Sequence, residues 1–186
     1  PVDINHNEPS IGKIKHWLEE IIIGLNFCPF AKKEFVNNTI DYHLVTASKL
    51  KQVASEVVGK CQYLHEHPEV ETTLVILERG YESFYRYLEA VELAQIALED
   101  NGFEGEFQLA SMHPEYCFEG DDFDDAANYT NRSPVPLIHI IREKSMERVL
   151  SVYKKPEAIP ENNMALAREK GSSFFENVLR SIHNNH

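Results

Sequence analysis

Residues 72–77 read Thr-Thr-Leu-Val-Ile-Leu, a short apolar run between two glutamates, Glu71 and Glu78. A continuous run of this length predicts a strand that is covered on both faces, as in a parallel sheet. Apolar residues at helical spacing precede the run at positions 50–64 and follow it at positions 84–98. These stripes predict two amphipathic helices on either side of the strand in sequence.

Three other segments predict strands. Residues 39–46 alternate between apolar and polar side chains, and residues 106–112 and 135–142 form the third and fourth strands. Helices separate the first three strands, so we expect right-handed crossovers and parallel pairing among them. No helix precedes the fourth strand, which can therefore pair in either direction. Pro136 near its start favours an edge position.

The predicted fold class is α/β. We expect a single compact domain with a mostly parallel four-stranded sheet, a possible antiparallel fourth strand, helices packed on the sheet and a helical C-terminus. The length of 186 residues fits one domain. Residues 1–9 are predicted to be a flexible polar N-terminus and residues 10–186 to form the domain. Ser173 and Glu176 form a capping box that predicts the start of the last helix.

The charge balance excludes several classes of partner. The chain has 18 Lys and Arg residues against 30 Asp and Glu residues, which gives a formal net charge of −12. Such an acidic chain is not expected to bind a nucleic-acid backbone or an anionic membrane surface. There is no apolar stretch long enough to span a bilayer and no export signal at the start. With three cysteines, we expect a cytoplasmic protein whose thiols are reduced.

The topology predicts where a site lies. Ligands of open α/β sheets bind beyond the carboxyl ends of parallel strands, and the third strand ends next to His113. If the fourth strand is antiparallel, its start lies at the same edge, directly after Asn131, Arg132 and Ser133. We expect His113 to act as a general acid or base, and the other three residues to bind a small polar or anionic ligand.

A second interpretation of the same loop needs no ligand. Arg132 can pair with an acidic loop residue such as Asp124 or Asp125, and Asn131 can fill a turn. The sequence alone leaves both interpretations open.

Cys28 is the other candidate catalytic residue. Pro29 suits the first position of a helix, which would place Cys28 at the N-cap. The helix dipole favours a thiolate there, so Cys28 is a candidate nucleophile or redox centre. No second cysteine stands at a CxxC spacing, which disfavours a dithiol mechanism. The alternative is a small buried hydrophobic residue between Phe27 and Phe30.

Metal and cofactor sites are not predicted. His113 and Cys117 are four residues apart and acidic residues follow them, but neither a zinc pattern nor a calcium loop is present. The stretch is better interpreted as a solvated acidic loop. No glycine-rich nucleotide loop occurs, so no cofactor is expected. His139 is predicted to be a hydrogen-bonded core residue.

Three blocks of sequence carry a resemblance to a known family. They are Gly-Leu-Asn-Phe-Cys-Pro-Phe-Ala at 24–31, Ala-Ser-Met-His-Pro-Glu-Tyr at 110–116 and Asn-Tyr-Thr-Asn-Arg-Ser-Pro at 128–134. With these blocks the chain resembles the DUF1415 family of bacterial proteins over nearly its whole length. The resemblance implies a bacterial, soluble, single-domain protein, but it supplies no reaction, cofactor or catalytic residue. Cys117 departs from the family pattern, which has a non-cysteine polar residue there.

Three functions fit these observations. The first is an enzyme that acts on a small polar or anionic metabolite, at a site formed by residues 113–134 and Cys28, with His113 as its acid or base. The second is a small-ligand binding module that uses the same site without a covalent step. The third is a protein–protein interaction protein with a structural cysteine. The sequence leaves the substrate and the oligomeric state open.

Overall fold

The computed structural model describes residues 8–186, so most of the predicted flexible N-terminus, residues 1–7, lies outside the described part. The mixed α/β architecture with a helical C-terminus is confirmed. The strands are β1 Ile40–Val45, β2 Thr72–Leu77, β3 Phe107–Met112 and β4 Leu137–Arg142. The α-helices are α1 Pro9–Trp17, α2 Ala31–Val36, α3 Leu50–Glu66, α4 Phe84–Asp100, α5 Glu143–Val152, α6 Ala158–Lys170 and α7 Ser172–Asn185. A π-helix spans Leu18–Ile23 and a 3-10 helix spans Ala126–Thr130.

The sheet has the strand order β1-β2-β4-β3. Strands β1 and β2 are parallel, while β4 is antiparallel to both of its neighbours. The first three strands therefore run in the same direction, as predicted, and the fourth is the antiparallel strand that the sequence allowed. However, β4 is inserted between β2 and β3, so only one adjacent pair of strands is parallel.

The prediction of an edge position for the fourth strand, which was based on Pro136, is wrong, because β4 is an inner strand. Pro136 precedes the first residue of the strand, Leu137, and its carbonyl accepts a hydrogen bond of 2.9 Å from the Leu77 amide. A proline has no N–H to donate, and just before the strand begins this loss is tolerated. The pairing of β4 is therefore compatible with the proline.

Two hydrophobic cores lie on opposite faces of the sheet. The α3/α4 core joins these two helices to one face, and the α1/α7 core joins α1, the π-helix, α6 and α7 to the other. The run at 72–77 contributes to both, with Val75 and Leu77 in the α3/α4 core and Leu74 and Ile76 in the α1/α7 core. The prediction that this strand is covered on both faces is confirmed.

The first helical segment changes its winding halfway. It runs as α1 to Trp17, continues as the π-helix and ends at Gly24. A Cβ atom at Gly24 would lie 2.3 Å from the Glu20 carbonyl oxygen, so only glycine fits there. The indole Nε1 of Trp17 is the one buried side-chain nitrogen or oxygen without a hydrogen-bond partner within residues 8–186.

The predicted capping box at the last helix is wrong. Helix α7 begins at Ser172 without a side-chain cap, and Ser173 lies inside its first turn. Gly171 alone separates α6 from α7, with a φ of 82° that favours glycine. The break between the two helices therefore depends on backbone conformation and not on a capping side chain.

A buried ion pair joins β1 to α3. The Asp41 carboxylate on β1 is 4% exposed and lies 2.9 Å from the ammonium of Lys60 on α3. The Thr73 hydroxyl of the neighbouring strand donates a second bond to Asp41 at 3.0 Å. Lys60 also lies over the ring of Tyr63, at 4.5 Å from its centroid. The edge strand is thereby fixed to the helix layer by charge as well as by apolar packing.

Candidate functional site

The end of β3 and the start of β4 meet at one edge of the sheet, as the topology predicts. Met112 is paired with Leu137, and the His113 amide donates to the Asn131 carbonyl at 3.1 Å. The hydroxyl of Tyr87, on α4, fixes this junction: it accepts from the Met112 amide at 2.8 Å and donates to the Leu137 carbonyl at 2.5 Å. The predicted loop residues are therefore anchored to the sheet by backbone bonds.

The His113 imidazole has a backbone partner at each nitrogen. The side chain is buried, with Nε2 donating to the Tyr81 carbonyl at 2.8 Å and Nδ1 accepting from the Glu115 amide at 2.9 Å. This arrangement corresponds to the neutral ring protonated at Nε2. Burial lowers the pKa of His113, which also favours the neutral form. The ring must break one of these bonds before it can exchange a proton with a substrate.

Arg132 is buried and holds the loop together. Its Nε donates to the Tyr116 carbonyl at 2.9 Å and its Nη2 donates to the Phe123 carbonyl at 2.7 Å. The guanidinium lies over the rings of both Phe123 and Tyr129, at 4.5 and 4.6 Å from their centroids. Carbonyl dipoles and ring faces thus stabilise a charge that is only 5% exposed.

The predicted ion pair of Arg132 with Asp124 or Asp125 is not found among the ion pairs of residues 8–186. Asp125 instead accepts two hydrogen bonds from Arg168 of α6, at 3.1 and 3.0 Å. It also accepts from the Ala127 amide at the start of the 3-10 helix. The bond from Arg168 is the main reason why the pKa of Asp125 is lowered.

Asn131 and Ser133, predicted to bind ligand, also have partners in the loop. The side-chain nitrogen of Asn131 donates to the Ser111 carbonyl at 3.1 Å, and its side-chain oxygen accepts from the Thr130 hydroxyl at 3.0 Å. Ser133 is fully buried and donates to the Val135 carbonyl at 2.7 Å. The binding roles of both residues stay predictions, and the contacts in the structure match the interpretation in which Asn131 fills a turn.

Asn128 is a buried organising residue that the sequence analysis missed. Its side-chain oxygen accepts from the Phe118 amide at 3.0 Å, and its side-chain nitrogen donates to the Asp122 carbonyl at 2.9 Å. These bonds close the acidic part of the loop on itself. An asparagine within an apolar and aromatic block was the available signal, since buried amides are satisfied by specific partners.

Cys28 is exposed, and it lies ahead of the next helix rather than at its N-cap. Phe30 holds the N-cap position of α2, which begins at Ala31 and has six residues. The Cys28 carbonyl accepts from the Ala31 amide at 3.3 Å in the preceding turn. The N-cap prediction is therefore wrong, and so is the alternative of a buried residue. Of the other cysteines, Cys61 is buried and burial raises its pKa to about 12.

A column of stacked groups links the loop to the Cys28 segment. Phe27 stacks on Phe175 of α7 at 6.3 Å, and Phe175 stacks on Tyr129 at 5.0 Å with nearly parallel rings. Tyr129 in turn contacts Arg132. This column lies in the α1/α7 core, whereas the His113 ring packs against Phe84 and Tyr87 on the α3/α4 side. The structure thus joins Cys28's segment to Arg132 but separates it from the His113 ring.

His139 lies on the α1/α7 face of β4, and its Nε2 is 2.8 Å from the Thr72 hydroxyl. That hydroxyl donates to the Ile140 carbonyl at 2.6 Å, so it accepts its second bond from the imidazole N–H. Burial lowers the pKa of His139 to about 4. These contacts agree with a hydrogen-bonded core histidine.

The opposite end of β4 borders a different feature, a surface cavity of about 650 Å³. One wall is the polar side of α5, with Lys144, Ser145 and Arg148, and the other is the connection between α3 and β2, with Pro68 and Glu71. Arg142 lies at the end of β4 between the two walls. The remaining lining residues are Glu147 and Ser151. We call this feature the cation-lined cavity.

Arg142 is fixed in the cavity by main-chain acceptors. Its Nη2 donates to the carbonyls of Leu64, His67 and Val70 at 2.6, 3.0 and 2.6 Å, and its Nε lies 3.2 Å from the Glu71 carbonyl. No carboxylate forms an ion pair with it within residues 8–186. The side chain is therefore held rigidly, and carbonyl dipoles rather than a carboxylate stabilise its charge.

The acidic residues of the cavity neutralise only part of its charge. Glu71 accepts a short hydrogen bond from the Ser145 hydroxyl and lies 3.7 Å from Arg148. Lys144 forms no ion pair in the described part of the chain. Three cationic and two acidic side chains line the cavity. This site was not predicted from the sequence, although Lys144 and Arg148 stand at the i, i+4 spacing of one helix face.

The described residues 8–186 contain no group of three or more His, Cys, Asp or Glu side chains placed to hold a metal ion. In the same part of the chain, no helix combines the length and the apolar character that crossing a bilayer requires.

Fold and site together define an α/β domain with a hydrogen-bonded loop at one end of β4 and a cation-lined cavity at the other end. Comparison with family models gives a match to "Protein of unknown function (DUF1415)" over residues 10–177. The chain therefore belongs to the DUF1415 family. Neither the comparison with curated proteins nor that with solved structures gives a match.

Proposed function

We propose that this protein binds a small anionic metabolite, without a covalent step, in the cation-lined cavity. The observation that carries the proposal is the pair Arg142 and Lys144, two cationic groups at one cavity that have no carboxylate partner within residues 8–186. The formal net charge of the chain is −12, yet this cavity has three cationic side chains and only two acidic ones, Glu71 and Glu147. An anionic ligand would supply the missing counter-charge.

The chemistry of the cavity suits a small anionic ligand. The cavity is open to solvent, and its volume of about 650 Å³ is large enough to hold a small molecule. Arg142 is held rigidly by carbonyls, so little entropy is lost when it binds a ligand. The hydrogen bonds of Arg142 to carbonyls use Nε and Nη2, which leaves Nη1 to donate to a carboxylate or phosphate oxygen. The ligand class is the one expected from the sequence, but the cavity lies away from the 113–134 loop.

The test is a thermal-shift and calorimetric titration with inorganic phosphate, pyrophosphate, succinate and citrate. A ligand at about one hundred times its Kd adds about 2.7 kcal/mol to the free energy of unfolding. For a chain of this length the shift in Tm is then roughly 5–10 °C. The double variant Lys144→Gln/Arg148→Gln should raise Kd by roughly tenfold or more, because charged hydrogen bonds are lost.

The matched control is Lys170→Gln/Arg180→Gln, which removes the same charge from exposed positions of α6 and α7. It should leave Kd unchanged. Binding that is equally weakened by both double variants would show a response to net charge alone and would reject the site. A lack of any shift with all four probes would also count against the proposal.

A second candidate function is an enzyme with Cys28 as nucleophile, and it is favoured by the exposure of this thiol. Its test uses p-nitrophenyl acetate: the thiolate attacks the acyl carbon, a thioester forms and p-nitrophenolate leaves. Intact-mass spectrometry should show acetylation of the folded protein that is faster than that of the urea-unfolded chain and absent in Cys28→Ala. Equal rates for the folded and unfolded chains would identify an ordinary accessible thiol and remove this candidate.

A further inference from the structure

Exposed apolar side chains concentrate on two surfaces. Eight large apolar side chains are exposed within residues 8–186, and six of them fall into two groups of three. One group lies on α4 and the other at the end of α5. Scattered exposed apolar residues need no explanation, but grouped ones mark interaction surfaces. The members are Tyr85, Leu88 and Ile96 in the first group and Leu150, Val152 and Tyr153 in the second.

Lysines lie close to the second group along the chain. Lys154 and Lys155 follow it directly and are exposed. The ring of Tyr153 meets the ring of Phe30 edge-on at 5.9 Å, which brings the start of α2 with Lys32 and Lys33 to the same surface. We call this surface the basic patch. None of its four lysines takes part in an ion pair of the described residues.

The first group lies on an acidic helix face. Leu88, Glu92, Ile96 and Glu99 follow each other at spacings of three and four residues, so they share one side of α4. Glu89 extends the same side, and these glutamates also form no ion pair in the described part of the chain. We call this surface the acidic face. Its charge is opposite to that of the basic patch, and each surface carries exposed apolar side chains.

The two surfaces cannot meet within one chain. Helix α4 packs in the α3/α4 core on one side of the sheet. Ala31 and Phe35 of α2 pack against the α1/α7 core on the other side. The acidic face and the basic patch therefore lie on opposite sides of the sheet, and only two copies of the chain can bring them together.

We propose that the basic patch of one copy docks on the acidic face of a second copy. Charge complementarity orients the two chains, and the apolar groups are removed from water at the centre of the contact. Because the two surfaces differ, the contact is heterologous, and repeated contacts produce a ring or an open head-to-tail chain. This inference is independent of the ligand proposed for the cation-lined cavity.

Sedimentation velocity over about a hundredfold range of protein concentration tests the proposal. The native chain should associate as concentration rises. The patch variant Lys154→Glu/Lys155→Glu and the face variant Glu89→Lys/Glu92→Lys should each raise the dissociation constant by roughly tenfold or more. The control Lys170→Glu/Arg180→Glu has the same charge change as the patch variant at an uninvolved surface and should associate like the native chain.

Mixing the two variants gives the sharpest outcome. The altered patch keeps Lys32 and Lys33 and the altered face keeps Glu99, so these two surfaces are only partly reversed in charge. The face variant retains the native basic patch and the patch variant retains the native acidic face. An equimolar mixture should therefore form one-to-one complexes, although each variant alone does not associate. A native chain that stays monomeric at every concentration overturns the proposal. So does a mixture that stays monomeric, which would leave these surfaces to a different partner.

Discussion

The variant Arg132→Ala should lower the free energy of unfolding by about 4 kcal/mol. The substitution removes the two hydrogen bonds to the Tyr116 and Phe123 carbonyls, so these acceptors lose their charged partner. It also removes the group that packs over the rings of Phe123 and Tyr129. The loss is large because the guanidinium is buried and its neighbours are arranged around it. Urea denaturation followed by tryptophan fluorescence measures the change.

Two comparisons sharpen this result. Arg132→Lys keeps the charge but loses the planar fork, so it should recover no more than about half of the lost free energy. Arg180→Ala, at an exposed position of α7, should change stability by less than about 0.5 kcal/mol. If Arg132→Ala costs less than about 1 kcal/mol, the loop does not depend on this side chain and the contacts described for it have no energetic weight.

The variant Lys60→Met should be destabilised by about 4 kcal/mol, because it leaves Asp41 as an unpaired charge in a site that is nearly sealed from water. The Thr73 hydroxyl is the only partner that the described contacts leave to this carboxylate. Methionine matches the lysine stem in length, so the loss reports the charge and not a cavity. Chemical denaturation at neutral pH gives the value.

The double variant Asp41→Val/Lys60→Met tests the cause. Both charges are then absent and valine suits the edge strand, so most of the lost stability should return. The exposed pair His65 and Glu106 serves as the comparison, since His65→Ala should cost less than about 1 kcal/mol. If the double variant were no more stable than Lys60→Met, the loss would have to come from packing around the methionine instead.

Local pattern predicts which side chains of a strand face a core, but not which strand lies beside it. The run at 72–77 is apolar on both sides, and it is buried on both sides in the structure. The direction of β3 also follows from its crossover. The identity of the strand beside β3 does not follow from it, because β4 comes later in the chain and lies between β2 and β3. No residue in either of those strands marks this insertion.

The candidate site at residues 113–134 was likewise predicted only in part. Topology places His113 next to Asn131, and the two are joined by a backbone bond. It does not predict that the His113 ring bonds to the Tyr81 carbonyl, 32 residues away in sequence. Residue type therefore predicted which polar groups lie at this end of the sheet. The groups that form hydrogen bonds with them lie in turns, and the conformations of those turns depend on the complete fold.

The cavity could be predicted only in part. The spacing of Lys144 and Arg148 puts both on one side of a helix. The opposite wall, with Pro68 and Glu71, comes from a connection more than seventy residues earlier. Arg142 forms hydrogen bonds with carbonyls of that connection because the end of β4 lies next to the end of α3. This proximity depends on the tertiary structure.

The order in which the strands are synthesised has a consequence for biogenesis. The ribosome releases β1, β2 and β3 before it releases β4, although β4 alone holds β3 in the sheet. A nascent chain that has emerged only as far as β3 exposes two strand borders with unsatisfied amides and carbonyls, which invite pairing with other nascent chains. Cooperative closure of the sheet must therefore wait until β4 has been synthesised, and chaperone protection matters most before that point.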